Sequence, residues 1–334
     1  MNARGINVIV NLKPGILARH PYKQWLEEHN AFIKTPDGSG DYYGRWWGGP
    51  GRFVDFTSPS GRDTWKALLK KHILEMGTKT VWNDNCEYDG VEDRNAYCDH
   101  EGMGGTMAEL KIIQSNMMAY TGKEALKEVY PKAKQALHEV YPGERPYIIN
   151  RAGYAGIQRY AQVWGGDNLT DWRTLKFNIA TILGMGISGC ANMGCDIGGF
   201  AGPAPEEELL LRGIQNGVLQ PRFCLNSANN DNTVTQPWMY EKMLPHIRAA
   251  YRLRYRMLPY LYSLFYESSQ DGMPIWRPLF LEFPQDPQCY GDQSLTFMLG
   301  SSILVASVVE KGAKTRTIYL PNGSTWYDMN DDFR

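Results

Sequence analysis

Residues 79–90 read KTVWNDNCEYDG: a short β-branched, apolar run that ends without a spacer in a polar and acidic segment opened by Asp84. Such a run predicts a buried strand, and the abrupt change predicts that Asp84 projects from the strand's end. The same change recurs on either side. Residues 6–12, 147–150 and 163–165 are further strand-like runs, and helical patterns occupy residues 61–76, about 105–141 and 170–183. Strands divided by helices predict βα units and a parallel sheet. In parallel barrels chemistry gathers in the loops after the C-terminal strand ends, which here read NLKPGI (11–16), WNDNCEYDG (82–90), NRAGYAG (150–156), WGGDN (164–168) and CDIGGF (195–200).

Further on, a long helical stretch over residues 237–269 gives way, from Phe297, to a tail that reads as successive strands. The pairs Lys311-Gly312 and Asn322-Gly323 supply turns between its β-prone runs. The expected organisation is a barrel domain over residues 1–287 and the beginning of a small β-sandwich over 288–334.

Composition narrows the partners. The net charge is −1, and no block of like charges suggests nucleic acid or an acidic membrane surface. No run of eighteen apolar residues predicts a membrane span, and the opening MNARGINVIV lacks a signal peptide's apolar stretch. Six Cys without CxxC pairing read as reduced thiols, a lean toward the cytoplasm. Ten Trp, twenty Tyr and eleven Phe suit the apolar faces of sugars, although ordinary packing uses the same rings.

Retaining glycoside hydrolysis needs two carboxyl groups about 5–5.5 Å apart, one to attack the anomeric carbon and one to protonate the leaving oxygen. Asp84 and Asp167 each follow an apolar strand. Gly165 and Gly166 permit close approach before Asp167, and Trp164 is placed to wall a pocket and shield the acid from water. Each aspartate taken alone reads as readily as a turn former or helix cap, Asp167 especially, because a helix is expected from about Thr170.

The segment VWNDNCE (81–87) resembles the nucleophile strand of glycoside hydrolase family 31, whose usual form is Trp-x-Asp-x-Asn-Glu; Cys86 takes the usual Asn place. RAGYAGIQRYAQVWGGDN (151–168) resembles that family's acid/base segment, and GCDIGGF (194–200) its next strand end. Supporting matches are NLKPGI, GPGRFVDFTSP (49–59), QPRF (220–223), RPLFLEFPQDP (277–287) and LPNGSTWYD (320–328). The resemblance covers nearly the whole chain.

It implies an α/β fold, a (β/α)8 TIM-type barrel followed by the start of a small β-sandwich. It also implies a retaining α-glycosidase with Asp84 as nucleophile and Asp167 as general acid/base. Trp82 and Glu87 are carried over as substrate-binding positions, Arg151 as a contact to sugar hydroxyls, Trp164 as the pocket wall, Asp196 as a pocket residue and Arg222 as a residue near the last strand. The resemblance implies no metal and no organic cofactor. The expected partner is an oligosaccharide or α-glycoside, with oligomer formation left open.

Two departures qualify the resemblance. The family's barrel has two more strands before NLKPGI, so the barrel is expected to be N-terminally truncated and the chain to be part of a longer product. Asn226 stands where many members have a His that holds sugar hydroxyls; an amide still hydrogen-bonds but carries no charge. An α-glucosyl substrate is expected first. An α-xylosidase, α-galactosidase or α-N-acetylgalactosaminidase, a transglycosylase or lyase, and a non-catalytic carbohydrate-binding fragment are the alternatives.

Other patterns carry less. GMGISG (184–189) satisfies GxGxxG but follows a helix instead of opening one. The loop from Asn85 has Ala96 where a calcium loop needs Glu. Cys86, Cys98 and His100 lack zinc spacing, and no GxSxG is present.

Overall fold

The computed structural model describes residues 6–130, 147–291 and 295–329. The chain divides into two compact units, Met1–Val163 and Trp164–Arg334.

In the first unit the order is β1 (Ile9–Leu12), β2 (Gly15–Leu17), α1 (Lys23–Glu28), β3 (Gly44–Trp46), β4 (Gly49–Phe53), α2 (Pro59–Leu69), β5 (Thr80–Asn83), β6 (Tyr97–Cys98), β7 (Gly105–Thr106), α3 (Met107–Val129), β8 (Tyr147–Asn150) and β9 (Gln162–Trp164). Strands β1, β5, β8 and β9 lie side by side and parallel. Leu12 pairs with Asn83, Asn83 with Asn150, and Asn150 with Val163.

Parallel neighbours need a crossover. Helix α2, opened by Pro59 at its first position, supplies the one between β1 and β5, where a missing N–H costs nothing. Helix α3 lies between β5 and β8, and its Glu109 accepts the Thr106 N–H at 2.9 Å, satisfying a donor at the helix start. The helical pattern expected to run on to about residue 141 ends at Val129 in the described part, and residues 131–141 lie outside it. Between β1 and α2 the chain makes an antiparallel excursion in the order β2-β4-β3. The unit's core joins Phe53, Phe56, Trp65, Leu74, Val81, Met118 and Ile148.

At the C-terminal edge of this sheet two amides are buried. The Asn83 Nδ2 group donates to Asn150 Oδ1 at 2.7 Å, and Asn150 Nδ2 donates to the Ser115 and Ala152 carbonyls at 2.9 and 3.1 Å. Buried polar groups this well partnered fix strand register. The parallel ladder continues one residue further: the Asp84 N–H donates to the Leu12 carbonyl at 2.8 Å and the Arg151 N–H to the Asn83 carbonyl at 2.9 Å.

The second unit holds α4 (Trp172–Ile187), β10 (Met193–Gly194), β11 (Ala201–Gly202), α5 (Glu207–Gly217), β12 (Ala228–Asn229), α6 (Leu244–Asp271), β13 (Trp276–Pro278), β14 (Thr296–Leu299) and β15 (Ile303–Ala306). The last three form an antiparallel sheet in chain order, with Trp276 opposite Leu299 and Phe297 opposite Val305. Trp276 and Phe297 stack at 3.9 Å within a core that includes Ile179, Ile182, Leu261 and Leu264.

The strand-like tail is only partly strand. Turns do form at Gly312 (φ +71°) and Gly323 (φ +87°), but no regular strand follows β15 among the described residues. The Arg316 guanidinium instead donates to the Leu295 and Ser307 carbonyls and to Thr296 Oγ1, at 2.9, 2.7 and 2.7 Å, so a side chain does what a ladder was expected to do.

Candidate active site

Because Leu12, Asn83 and Asn150 are in register, the residues that follow them, Lys13, Asp84 and Arg151, form a row at the sheet's C-terminal edge. The row is charged plus, minus, plus. Both Asp84 oxygens are engaged. Oδ2 accepts from the Lys13 ammonium and, at 3.3 Å, from Asn11 Nδ2; Oδ1 accepts the Asn85 N–H at 2.8 Å and Arg151 Nη1 at 3.3 Å. Burial pushes this carboxyl up, but the hydrogen bond and charge of Lys13, with Asn11 and the Asn85 N–H, outweigh burial and hold it below the usual range. Asp84 is therefore a carboxylate at neutral pH, as a nucleophile must be.

Glu87 lies 3.3 Å from Arg151 Nε, and burial, its leading influence, raises its pKa. Its visible work is to hold Arg151, and Arg151 turns to Asp84. Trp82, on β5 beside Asn11 and Ile149, completes the group that the sequence placed in this unit. Lys13 went unrecognised. Nothing in NLKPGI marks its lysine as a site residue, yet it occupies the same position after β1 that Asp84 occupies after β5.

Cys86 and Cys98 belong to no cluster of metal-binding groups among the described residues. Both are buried, their thiols pushed up to about 12 chiefly by burial; Cys86 faces the Asn83 carbonyl and Cys98 the Met107 sulfur. Among the described residues no group of His, Cys, Asp or Glu could hold a metal ion. No helix among them is long and apolar enough to cross a membrane.

In the second unit, Trp164 is buried at the end of β9 with the Arg222 guanidinium 5.7 Å from its ring. The Gly165 N–H donates to the Gly194 carbonyl at 3.0 Å, and a Cβ on Gly165 would stand 2.8 Å from Cys195 Sγ, so only glycine allows that approach. Gly166 has φ +72°, a left-handed conformation that turns the chain out of the strand. Asp167 follows it and is exposed, so the expected shielding by Trp164 is not what this unit displays.

Nor is Asp167 a helix cap. Asp171 caps α4, accepting the Thr174 N–H at 2.6 Å, which leaves Asp167 outside the helix. Asn168 ties the loop down. Its side-chain amide donates to the Asp196 carbonyl at 2.9 Å, and its own carbonyl accepts from Phe200 and Ala201 at 2.8 and 3.0 Å.

Asp196 is nearly inaccessible, its oxygens taken by Arg222 Nη1 and Asn226 Nδ2, each at 2.9 Å. Burial is the largest influence on its pKa, which stays raised despite those two donors. Asn226, expected at sugar hydroxyls, thus spends its amide on a neighbouring carboxylate.

The model for the Glycosyl hydrolases family 31 TIM-barrel domain matches residues 1–264, and that for the family's C-terminal domain matches residues 272–333. Curated relatives include "Alpha-glucosidase 2" of Bacillus thermoamyloliquefaciens, 33% identical over 98% of this chain and 40% of its own length. "Neutral alpha-glucosidase C" of Homo sapiens is 35% identical over 90% and 32%. Among solved structures, a Tris-bound glucosidase II alpha subunit superposes with TM-score 0.86 at 27% identity, covering 98% of this chain and 35% of that one. An α-xylosidase from a soil metagenome, complexed with xylose, gives 0.87 at 26%, covering 99% and 50%. The chain spans 32–40% of the length of those two curated relatives. Strand ends, loop motifs and whole-chain likeness converge, and the chain belongs to glycosyl hydrolase family 31.

Proposed function

We propose that the protein is a retaining α-glycosidase that releases a terminal α-linked sugar through a glycosyl-aspartate intermediate. Asp84 is the nucleophile and Asp167 the general acid/base. The observation that carries this reading is the state of Asp84: a carboxylate at a parallel strand's end, with a hydrogen-bond donor on each oxygen and a cation on either side. In the first half-reaction the carboxylate bonds to the anomeric carbon while the leaving oxygen takes a proton from Asp167. In the second, water attacks that carbon, gives its proton to Asp167 and frees Asp84.

An α-glucosyl substrate is favoured because the curated relatives carry α-glucosidase names. The xylose-complexed neighbour keeps α-xylosyl as the second reading. Arg222 and Asn226 hold Asp196, which the family resemblance makes a pocket residue. Trp82, Glu87, Arg151 and Trp164 shape the remainder.

The test is a panel of aryl α-glycosides (glucoside, xyloside, galactoside and N-acetylgalactosaminide), with the first-formed anomer followed by NMR beside Asp84→Asn and Asp167→Asn. Cleavage with α-product is expected, with Asp84→Asn slowed by about 10⁴-fold or more, as for loss of an essential catalytic group. First-formed β-product, or full activity in Asp84→Asn, overturns the mechanism. Sugar binding without cleavage of any substrate points to a carbohydrate-binding protein instead.

A further inference from the structure

Lys13 has no role in the reaction as written so far, although its ammonium touches a carboxylate oxygen of Asp84. We propose that Lys13 is a further catalytic residue: it stabilises Asp84 as the departing carboxylate of the glycosyl-enzyme, favouring the second half-reaction at the expense of the first. The inference rests on the double-displacement reading above.

The geometry is fixed by the sheet. Register places Lys13 directly beside Asp84, its side chain is only 23% exposed, and its second hydrogen bond, 2.7 Å to Asn85 Oδ1, anchors the ammonium to the residue after the nucleophile. The ammonium also lies 5.4 Å from the centre of the Trp47 ring. Among the described residues Lys13's other partners are neutral, so its charge is directed at Asp84. Arg151, on the opposite oxygen, shares its charge with Glu87. Lys13 is accordingly the cation whose attraction changes most when Asp84 changes charge.

That charge changes twice in each turnover. When Asp84 bonds to the anomeric carbon and the bond to the leaving oxygen breaks, the carboxylate becomes a neutral ester, and the attraction to Lys13 is lost. When water bonds to the same carbon and passes its proton to the base, the ester bond breaks, its electron pair returns to Asp84, and the attraction is regained. A cation at contact distance from a partly buried carboxylate therefore raises the first barrier and lowers the second.

The test uses an aryl α-glycoside that the wild-type protein cleaves, with a good leaving group so that the second half-reaction limits kcat. Lys13→Met is expected to lower kcat by about 10- to 100-fold, the usual scale for a charged hydrogen bond. The burst of aryl alcohol that this substrate gives with the wild type should be followed in the variant by a steady-state phase slower by the same factor, with a larger fraction of protein heavier by one glycosyl group. The acid limb of kcat/KM should also move to higher pH, because Lys13 helps to hold the Asp84 carboxyl low. Lys13→Arg should restore most of kcat and the wild-type level of glycosyl-enzyme, and Lys13→Gln serves as the neutral variant if methionine disturbs folding.

A folded neutral variant with the wild-type steady-state rate, no more glycosyl-enzyme than the wild type and an unmoved acid limb overturns the proposal, leaving Lys13 a holder of side-chain position. A wild-type protein that cleaves no glycoside, or an Asp84→Asn variant of undiminished rate, sinks the double-displacement reading and the Lys13 proposal with it.

Discussion

Asp196 and Arg222 are buried and Asn226 half-buried, and the charge of Asp196 is tolerated because each carboxylate oxygen has a donor. Removing one member of a buried ion pair leaves the other uncompensated, which typically costs about 3–5 kcal/mol. Arg222→Met should therefore lower the free energy of unfolding by about that amount, read from urea titration; a loss below about 1 kcal/mol would mean that water already reaches Asp196. Asn226→Ala removes one neutral donor and should cost about 1–3 kcal/mol by the same measurement. GCDIGGF and QPRF mark Asp196 and Arg222 in the sequence, but not that the two pair. Nor does the sequence show that Asn226 donates to Asp196, because an amide that can reach a sugar can equally reach a carboxylate, and only tertiary placement decides between them. Lys13 escaped for a related reason: a lone lysine after a strand is usually a solvated end, and nothing local marks it as facing the nucleophile.

Among the elements, strands β5 and β8 were legible to the residue, because Thr80–Asn83 and Tyr147–Asn150 are apolar runs cut off by charged or polar groups. Aligning INVIVNLK, KTVWND and YIINR on their last, charged residue would have brought Lys13, Asp84 and Arg151 into one row; pairing registers were needed to justify that alignment. Helix ends were less legible. The start of α4 is set by Asp171, a cap that sequence alone does not distinguish from Asp167, four residues earlier. Glycines sharpen the element-level expectations. A Cβ on Gly184, inside α4, meets nothing within 4 Å, so Gly184→Ala should raise stability by about 0.5–1 kcal/mol. A Cβ on Gly61, in the first turn of α2, would stand 2.0 Å from the Asp55 carbonyl oxygen, a backbone atom. Gly61→Ala should lower stability by about 1–3 kcal/mol despite the same gain in helix propensity. Equal shifts from the two substitutions in urea titration would contradict this packing of α2.

At the scale of the whole molecule, the TIM-barrel match runs to residue 264, whereas the chain packs as two compact units that meet in sequence at Val163 and Trp164. Family membership follows the order of motifs, and packing follows each unit's own apolar cluster. The cysteines report on both units together. All six are free; Cys86, Cys98, Cys190, Cys195 and Cys289 are buried, and Cys224 is partly exposed. Burial pushes the thiols of Cys86, Cys98 and Cys195 up to about 12, and that of Cys224 upward too. Only thiolate reacts with a disulfide reagent, so burial slows these groups twice, by access and by ionisation. At pH 8 the native protein should release reporter from one thiol, Cys224, and slowly, the others following at the rate of unfolding. In guanidinium without reductant all six should react at once. Fewer than six in denaturant would reveal a covalent pairing, against the reading of these cysteines as reduced, and several fast thiols in the native protein would mean that one unit's core opens readily. Comparing a Cys224→Ser variant separates these cases, since it should abolish the native signal and leave five thiols on unfolding.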